Sequence, residues 1–293
     1  MIFLDEKHEL RSGWKFGAYL VFLFLIGLAM VAALSAITSP QLFENQLTAL
    51  ALNEIVLFVP AFAAMWLTVR FVDHRPFSAF GIGFIPMWRR HLLFGLGLAA
   101  GMLAVLFGGC FLLGFVRIHW TAGQVPVTTL LATFSLLLVA ALNEEMLFRG
   151  LPLQLLIDAV GEWPAIIGLS ALFGAIHWQN ENSSYLGIFN TVVAGVLLSL
   201  AYVRTRSLWL PYAIHVGWNV GLGFVLGFRL SGYDIASLWT TGIAGSENIL
   251  GGDYGPEGGL LVTFIFAASA VIVNRHGSIA PPSEHRDEGG PAS

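Results

Sequence analysis

The apolar residues of this chain gather into long blocks separated by short polar joints. A membrane-spanning helix needs about 20 apolar residues, with a range of roughly 17–25. On that basis eight spans are predicted. The first is Phe16–Ile37, ended by Ser39-Pro40. The second is about Leu47–Val69, with Glu54 and Pro60 inside it and Arg70 closing it. The third is the glycine-rich Leu92–Val116, closed by Arg117. Between the second and third, residues 71–90 are polar and broken by Pro76, Gly81, Gly83 and Pro86. Phe and Trp residues between arginines predict a segment lying at the membrane interface. The fourth span begins near Val127 and runs through an acidic pair toward Val160. That is too long for one straight crossing, so a kink at Pro152 or a turn onto the surface is expected. The fifth is the short Pro164–Trp178, the sixth Tyr185–Val203, the seventh Leu208–Phe228 and the eighth Leu260–Val273.

The pattern predicts an all-α fold, a polytopic transmembrane helix bundle of about eight spans. It divides into N-terminal helices and an interfacial segment (1–126), a core of helices (127–228), a glycine-rich loop with the last helix (229–274) and a disordered tail (275–293). The tail carries Pro281-Pro282 and a terminal Gly-Gly-Pro, which suits disorder. No internal repeat is visible, which argues against an inverted-repeat transporter.

Composition supports the membrane reading. Of the 293 residues, 56% are hydrophobic and 11% are charged, against about 25% charged in soluble domains. A net charge of −4 offers no basic surface for nucleic acid. The single cysteine, Cys110, excludes an intrachain disulfide and reads as a buried small hydrophobe. The first apolar run is 22 residues long, whereas a cleavable signal has an apolar core of about 7–15 residues. It is expected to remain as a helix. Lys and Arg set the orientation. With the N-terminus inside, 12 of the 14 fall on inside segments and only Arg117 and Arg229 fall outside. Both termini are therefore expected in the cytoplasm.

Against this background the polar groups within the later spans stand out: Glu144, Glu145, Arg149, His177, Asn190, His215 and Asn219. A charge at bilayer depth costs roughly 2.5–3.5 kcal/mol on insertion scales. Glu145 and Arg149 are four residues apart, as are His215 and Asn219, and Phe173 and His177 repeat the step. Four residues are just over one turn, so each pair shares a helix face. Glu144 and Glu145 are about 100° apart around the axis. The economical reading pairs Glu145 with Arg149 and turns Glu144 toward His177 and His215. Singly, each feature has a plainer reading. Glu145–Arg149 is then a structural ion pair, His177 an interfacial histidine, and His215–Asn219 a bond between helices. Glu54 reaches water near its helix end, and Asn190 makes a packing hydrogen bond. Three separate helices that each carry a polar group of catalytic type weigh against coincidence.

At these residues the sequence resembles the CAAX prenyl endopeptidase and bacteriocin-processing (CPBP, or Abi) family of intramembrane proteases. The family's motifs read here as Glu144-Glu145-Met146-Leu147-Phe148-Arg149, Phe173-Gly174-Ala175-Ile176-His177 and His215-Val216-Gly217-Trp218-Asn219. The likeness covers about Val127–Phe228, and the Gly251–Gly259 loop looks like loops of bacterial members. The resemblance implies proteolysis within a bacterial cell membrane. The substrate would be a membrane protein or peptide, lipidated in the case of CAAX proteins. By that analogy Glu144 activates water and His177 and His215 orient it or ligate a metal. Asn219 stabilises the oxyanion, and Glu145 with Arg149 holds the glutamate helix. Two chemistries stay open: a metal-free glutamate base, or a Zn2+ ion held by Glu144, His177 and His215 with water in the fourth position. Rival classes are a non-catalytic immunity or scaffold protein and an ion or proton transporter.

Overall fold

The structure, a computed structural model, describes residues 2–4, 6, 8–39, 44–81, 83–84 and 87–276. Pro40, Pro86 and the tail predicted to be disordered, from residue 277 on, lie outside them.

The first half of the chain forms α1 (Ser12–Ile37), α2 (Gln46–Thr68), α3 (Trp88–Leu112), β1 (Val116–Trp120) and α4 (Val127–Phe148). Then follow α5 (Leu151–Val160), α6 (Glu162–Ile176), α7 (Tyr185–Thr205), α8 (Trp209–Asn219), β2 (Trp239–Ile243), α9 (Glu247–Leu250) and α10 (Leu260–Arg275). This is an all-α membrane bundle, and among the described residues 5 helical stretches are long and apolar enough to cross a membrane. They are α1, α2, α3, the α4–α5 stretch and α7. The other three predicted spans are shorter as helices. The α6 and α10 helices have 15 and 16 residues, about 22–24 Å at 1.5 Å per residue. The α8 helix has 11 residues and continues into a π-helical turn, Val220–Val225.

The long fourth stretch does break, but at Arg149–Gly150 rather than at Pro152. Arg149 leaves the helix, and Gly150 takes a φ of +60°, which glycine adopts at no steric cost. A Cβ on Gly150 would also stand 3.2 Å from the Phe80 carbonyl oxygen. Pro152 falls in the first turn of α5, where its missing N–H leaves nothing unpaired.

Polar contacts gather the helix ends on two opposite faces. On the face of the N-terminus, Lys15 at the start of α1 and Arg75 both hold Asp73, at 2.9 and 2.6 Å. Arg75 also reaches Asp158 on α5 at 3.1 Å. Arg206, after α7, donates to Gln154, and Arg204 donates to Asn274 near the end of α10. The predicted interfacial segment is thus tied down by ion pairs as well as by its aromatics. On the far face β1 and β2 pair antiparallel, from Val116↔Ile243 to Trp120↔Trp239. This ribbon corrects two expectations, because the apolar pattern carries the third span to Val116 and leaves residues 239–243 as loop.

Small residues let the helices around the site approach closely. A Cβ on Gly217 of α8 would come within 2.8 Å of Ala99 Cβ on α3. One on Gly195 of α7 would come within 2.9 Å of Ser170 Cβ on α6.

Candidate active site

Four helices deliver the site, and its anchor is buried. Glu145, on the last turns of α4, has no solvent exposure, and Arg149 is 1% exposed. Glu145 Oε1 accepts from Arg149 Nη1 at 3.2 Å. Arg149 Nη2 donates to the Gly195 carbonyl of α7 at 3.3 Å. The guanidinium carbon sits 4.6 Å from the ring centre of Phe173 on α6. One cation therefore fastens α4, α6 and α7 together. The predicted Glu145–Arg149 pair is present.

The expectation that Glu144 alone meets both histidines needs correction. His215 of α8 is shared between the two glutamates. Its Nδ1 donates to Glu145 Oε1 at 2.8 Å, and its Nε2 faces Glu144 Oε2 at 3.7 Å. The carboxylate on Nδ1 fixes the ring orientation and turns Nε2 toward Glu144. Consecutive glutamates can share one ring because it has two nitrogens on opposite edges. His177 follows the same rule with a different partner. Its Nδ1 lies 2.7 Å from the Phe173 carbonyl oxygen. A carbonyl oxygen only accepts, so Nδ1 carries the hydrogen and Nε2 is left free. Among the described residues no hydrogen bond or ion pair links Glu144 to His177.

Glu144, His177, His215 and Asn219 nevertheless line one cavity of ≈ 1390 Å³. Glu145 and Arg149 are absent from its wall and lie behind it. The residues proposed from sequence as zinc ligands fit an ion poorly. Among the described residues no group of three or more His, Cys, Asp or Glu side chains is gathered to hold one.

Two further carboxylates of this cavity are hydrogen-bonded to neighbouring side chains. Glu54 of α2 lines it, and its Oε2 accepts from Asn143 Nδ2 at 2.7 Å. Asn143 is the residue just before the glutamate pair; that adjacency was the available signal. Glu257 also lines the wall. It accepts from Trp218 Nε1 at 2.9 Å and from the Ser231 hydroxyl at 2.8 Å. Trp218 lies inside the third motif, so the motif helix also pins the long loop over the site. Asn190 makes the expected packing bonds, donating to the carbonyls of Glu257 and Gly259 at 2.7 and 2.9 Å.

Fold and site together define a class: a helical membrane protein with a buried glutamate–histidine centre. Residues 126–221 match the family model described as type II CAAX prenyl endopeptidase Rce1-like. That segment holds all three motifs, and over it the resemblance drawn from them is shown. The matched family is one of proteases. The chain is also 32% identical over 129 residues to an Escherichia coli protein described as an uncharacterized 24.3 kDa protein. The alignment takes in 40% of this chain and 57% of that one, so the chain spans just over half the length of the curated relative it matches. No solved structure matches the chain.

Proposed function

We propose that the chain is an intramembrane endopeptidase of a bacterial cell membrane that hydrolyses a peptide bond with water activated by Glu144. The observation that carries this reading is the arrangement of the two glutamates around His215. Glu145 holds Nδ1 at 2.8 Å and Glu144 stands 3.7 Å from Nε2. That gap is too long for a direct hydrogen bond; the His215 and Glu144 side chains stay 10% and 21% exposed, so a water in the cavity can reach both residues. Glu144 takes a proton from this water as the oxygen attacks the carbonyl carbon. The free Nε2 atoms of His215 and His177 orient the water. The Asn219 side-chain amide donates to the oxyanion of the tetrahedral intermediate. Glu144 then returns the proton to the leaving amine as the C–N bond breaks. Glu145 and Arg149 are positioning residues that never touch the substrate. The reading needs no metal ion, because Glu144 suffices as base.

The substrate is a membrane protein or peptide. With both termini in the cytoplasm, as the Lys and Arg distribution supports, the polar rim of the cavity faces the other side of the membrane. Gln179, Glu181 and Asp234 form part of that rim.

The test is cleavage by purified protein in lipid. Glu144→Gln, His177→Ala and His215→Ala should each lower the rate by about 10²–10⁴-fold while folding normally. Dialysis against a chelator should leave the wild-type rate unchanged. A Glu144→Gln variant that cleaves like wild type would remove the proposed base.

A further inference from the structure

The long loop of residues 229–259 lies outside the stretch matched to the family, residues 126–221, and the proposed reaction uses none of it. Its Glu257 is 9% exposed, and three donors close on the carboxylate. Oε1 accepts from Trp218 Nε1 at 2.9 Å. Oε2 accepts from the Ser231 N–H at 2.6 Å and from the Ser231 hydroxyl at 2.8 Å. The loop backbone is fitted closely around these bonds. Gly255 has a φ of +89°, and a Cβ there would stand 2.2 Å from the Arg229 carbonyl oxygen. Gly232 has a φ of +93°, and a Cβ there would stand 1.8 Å from the Glu181 carbonyl oxygen. The turn Leu230–Tyr233 therefore lies tight against the segment that follows His177. Ser231 itself has a φ of +49°, which is uncommon for a residue with a side chain. Such a conformation persists where its surroundings hold it, and here two bonds to Glu257 do so.

The two partners of Glu257 lead to two ends of the site. Trp218 precedes Asn219 at the end of α8, where the chain passes into the π-helical turn Val220–Val225. The change of helical register at that junction sets where Asn219 points. The Asn219 side-chain amide has no hydrogen bond of its own among the described residues, so its aim depends on what holds the backbone beside it. On the other side, the Ser231 carbonyl accepts from Asn180 Nδ2 at 3.1 Å. The Asn180 N–H donates in turn to the His177 carbonyl at 3.1 Å. A continuous line of hydrogen bonds thus runs from His177 through Asn180, Ser231 and Glu257 to Trp218, the neighbour of Asn219.

We infer that Glu257 is a positioning residue of the site: its carboxylate ties the end of α8, which carries Asn219, to the turn that follows His177. This rests on the reading of Asn219 as the oxyanion donor and of His177 as a group that orients the water. The indole and the backbone N–H only donate, so an acceptor with two oxygens can hold both at once. A shift of about 1 Å in a catalytic group can cost about 10²-fold in rate, and the tie removes that freedom without touching the substrate.

The experiment reads amide hydrogen exchange and peptide cleavage on the full chain in nanodiscs. Glu257→Leu fills similar space without an acceptor. It should speed exchange across residues 177–183 and 229–235 by about tenfold or more, because the bonds that close those segments are lost. Trp218→Phe removes the N–H and keeps an aromatic ring against Phe266, whose centre lies 4.9 Å from that of Trp218. It should lower kcat about 10–10²-fold and leave KM within about twofold, because the oxyanion forms only in the transition state. Glu257→Gln keeps one acceptor oxygen, and its kcat should fall between those of wild type and Glu257→Leu. In an Asn219→Ala protein, Trp218→Phe should cost nothing further, since the group it positions is gone. Unchanged exchange in Glu257→Leu, a wild-type kcat in Trp218→Phe, or a loss that repeats in full on top of Asn219→Ala would overturn the inference. Exchange is read without substrate and does not depend on turnover. Faster exchange in Glu257→Leu, beside a wild type that cleaves no peptide, would support the tie and count against the protease reading.

Discussion

Glu145 and Arg149 show most clearly what single side chains do in this protein. Both are buried and bonded to each other at 3.2 Å, and Glu145 also holds His215 at 2.8 Å. Removing one leaves an uncompensated charge, at a cost of about 3–5 kcal/mol. Glu145→Ala and Arg149→Ala should therefore each lower the melting temperature by several degrees. The double variant should lose less than the sum of the two. Additive losses, or none, would mean that the pair carries no coupling energy. The motifs were legible in the sequence because three separate apolar blocks each carry a polar group of catalytic type, although each alone has a plainer reading. The sharing of His215 was not, since spacing along one helix says nothing of a partner on another. Glu54 was hidden for the same reason. A lone carboxylate near a helix end usually reaches water, and only the fold shows it bonded to Asn143.

At the scale of elements, the site depends on close helix contacts through glycine. Gly195 does two things: it lets α7 lie against Ser170 of α6, and its carbonyl accepts from Arg149. Gly195→Ala should push the helices apart and loosen the arginine. Overpacking of this kind costs about 1–3 kcal/mol, so both melting temperature and cleavage rate should fall. An unchanged melting temperature with wild-type activity would show that the contact is slack. The helices themselves were readable from apolar block length. Their exact breaks were less so. Pro152 is the louder signal, yet it suits the start of a helix, and Gly150 supplies the left-handed turn. The β1–β2 ribbon was unreadable, because five residues at the end of an apolar run, and five more inside a glycine-rich loop, carry no period that separates strand from helix or loop.

Across the described residues, the polar contacts between helix ends sort the chain into a face with the start of α1 and the end of α10 and a face with the ribbon and the cavity rim. Membrane-impermeant thiol reagents can read that sidedness, because the native Cys110 is buried. A cysteine at Asp234 or Gln179 should label in intact cells, and one at Arg11 only after permeabilisation. The reverse pattern would turn the rim toward the cytoplasm. The Lys and Arg counts are what this expected orientation rests on. The cavity was not, since its wall draws on segments from α1 to α10.

Glu144 is proposed to deliver water to a peptide bond. The direct measurement is cleavage of a membrane peptide in H₂¹⁸O, with mass spectrometry of the new carboxyl terminus. Wild type should place ¹⁸O in that carboxylate, and a Glu144→Gln protein with the same melting temperature should form labelled product about 10²–10⁴-fold more slowly. Labelled product from the Glu144→Gln protein at the wild-type rate would contradict it.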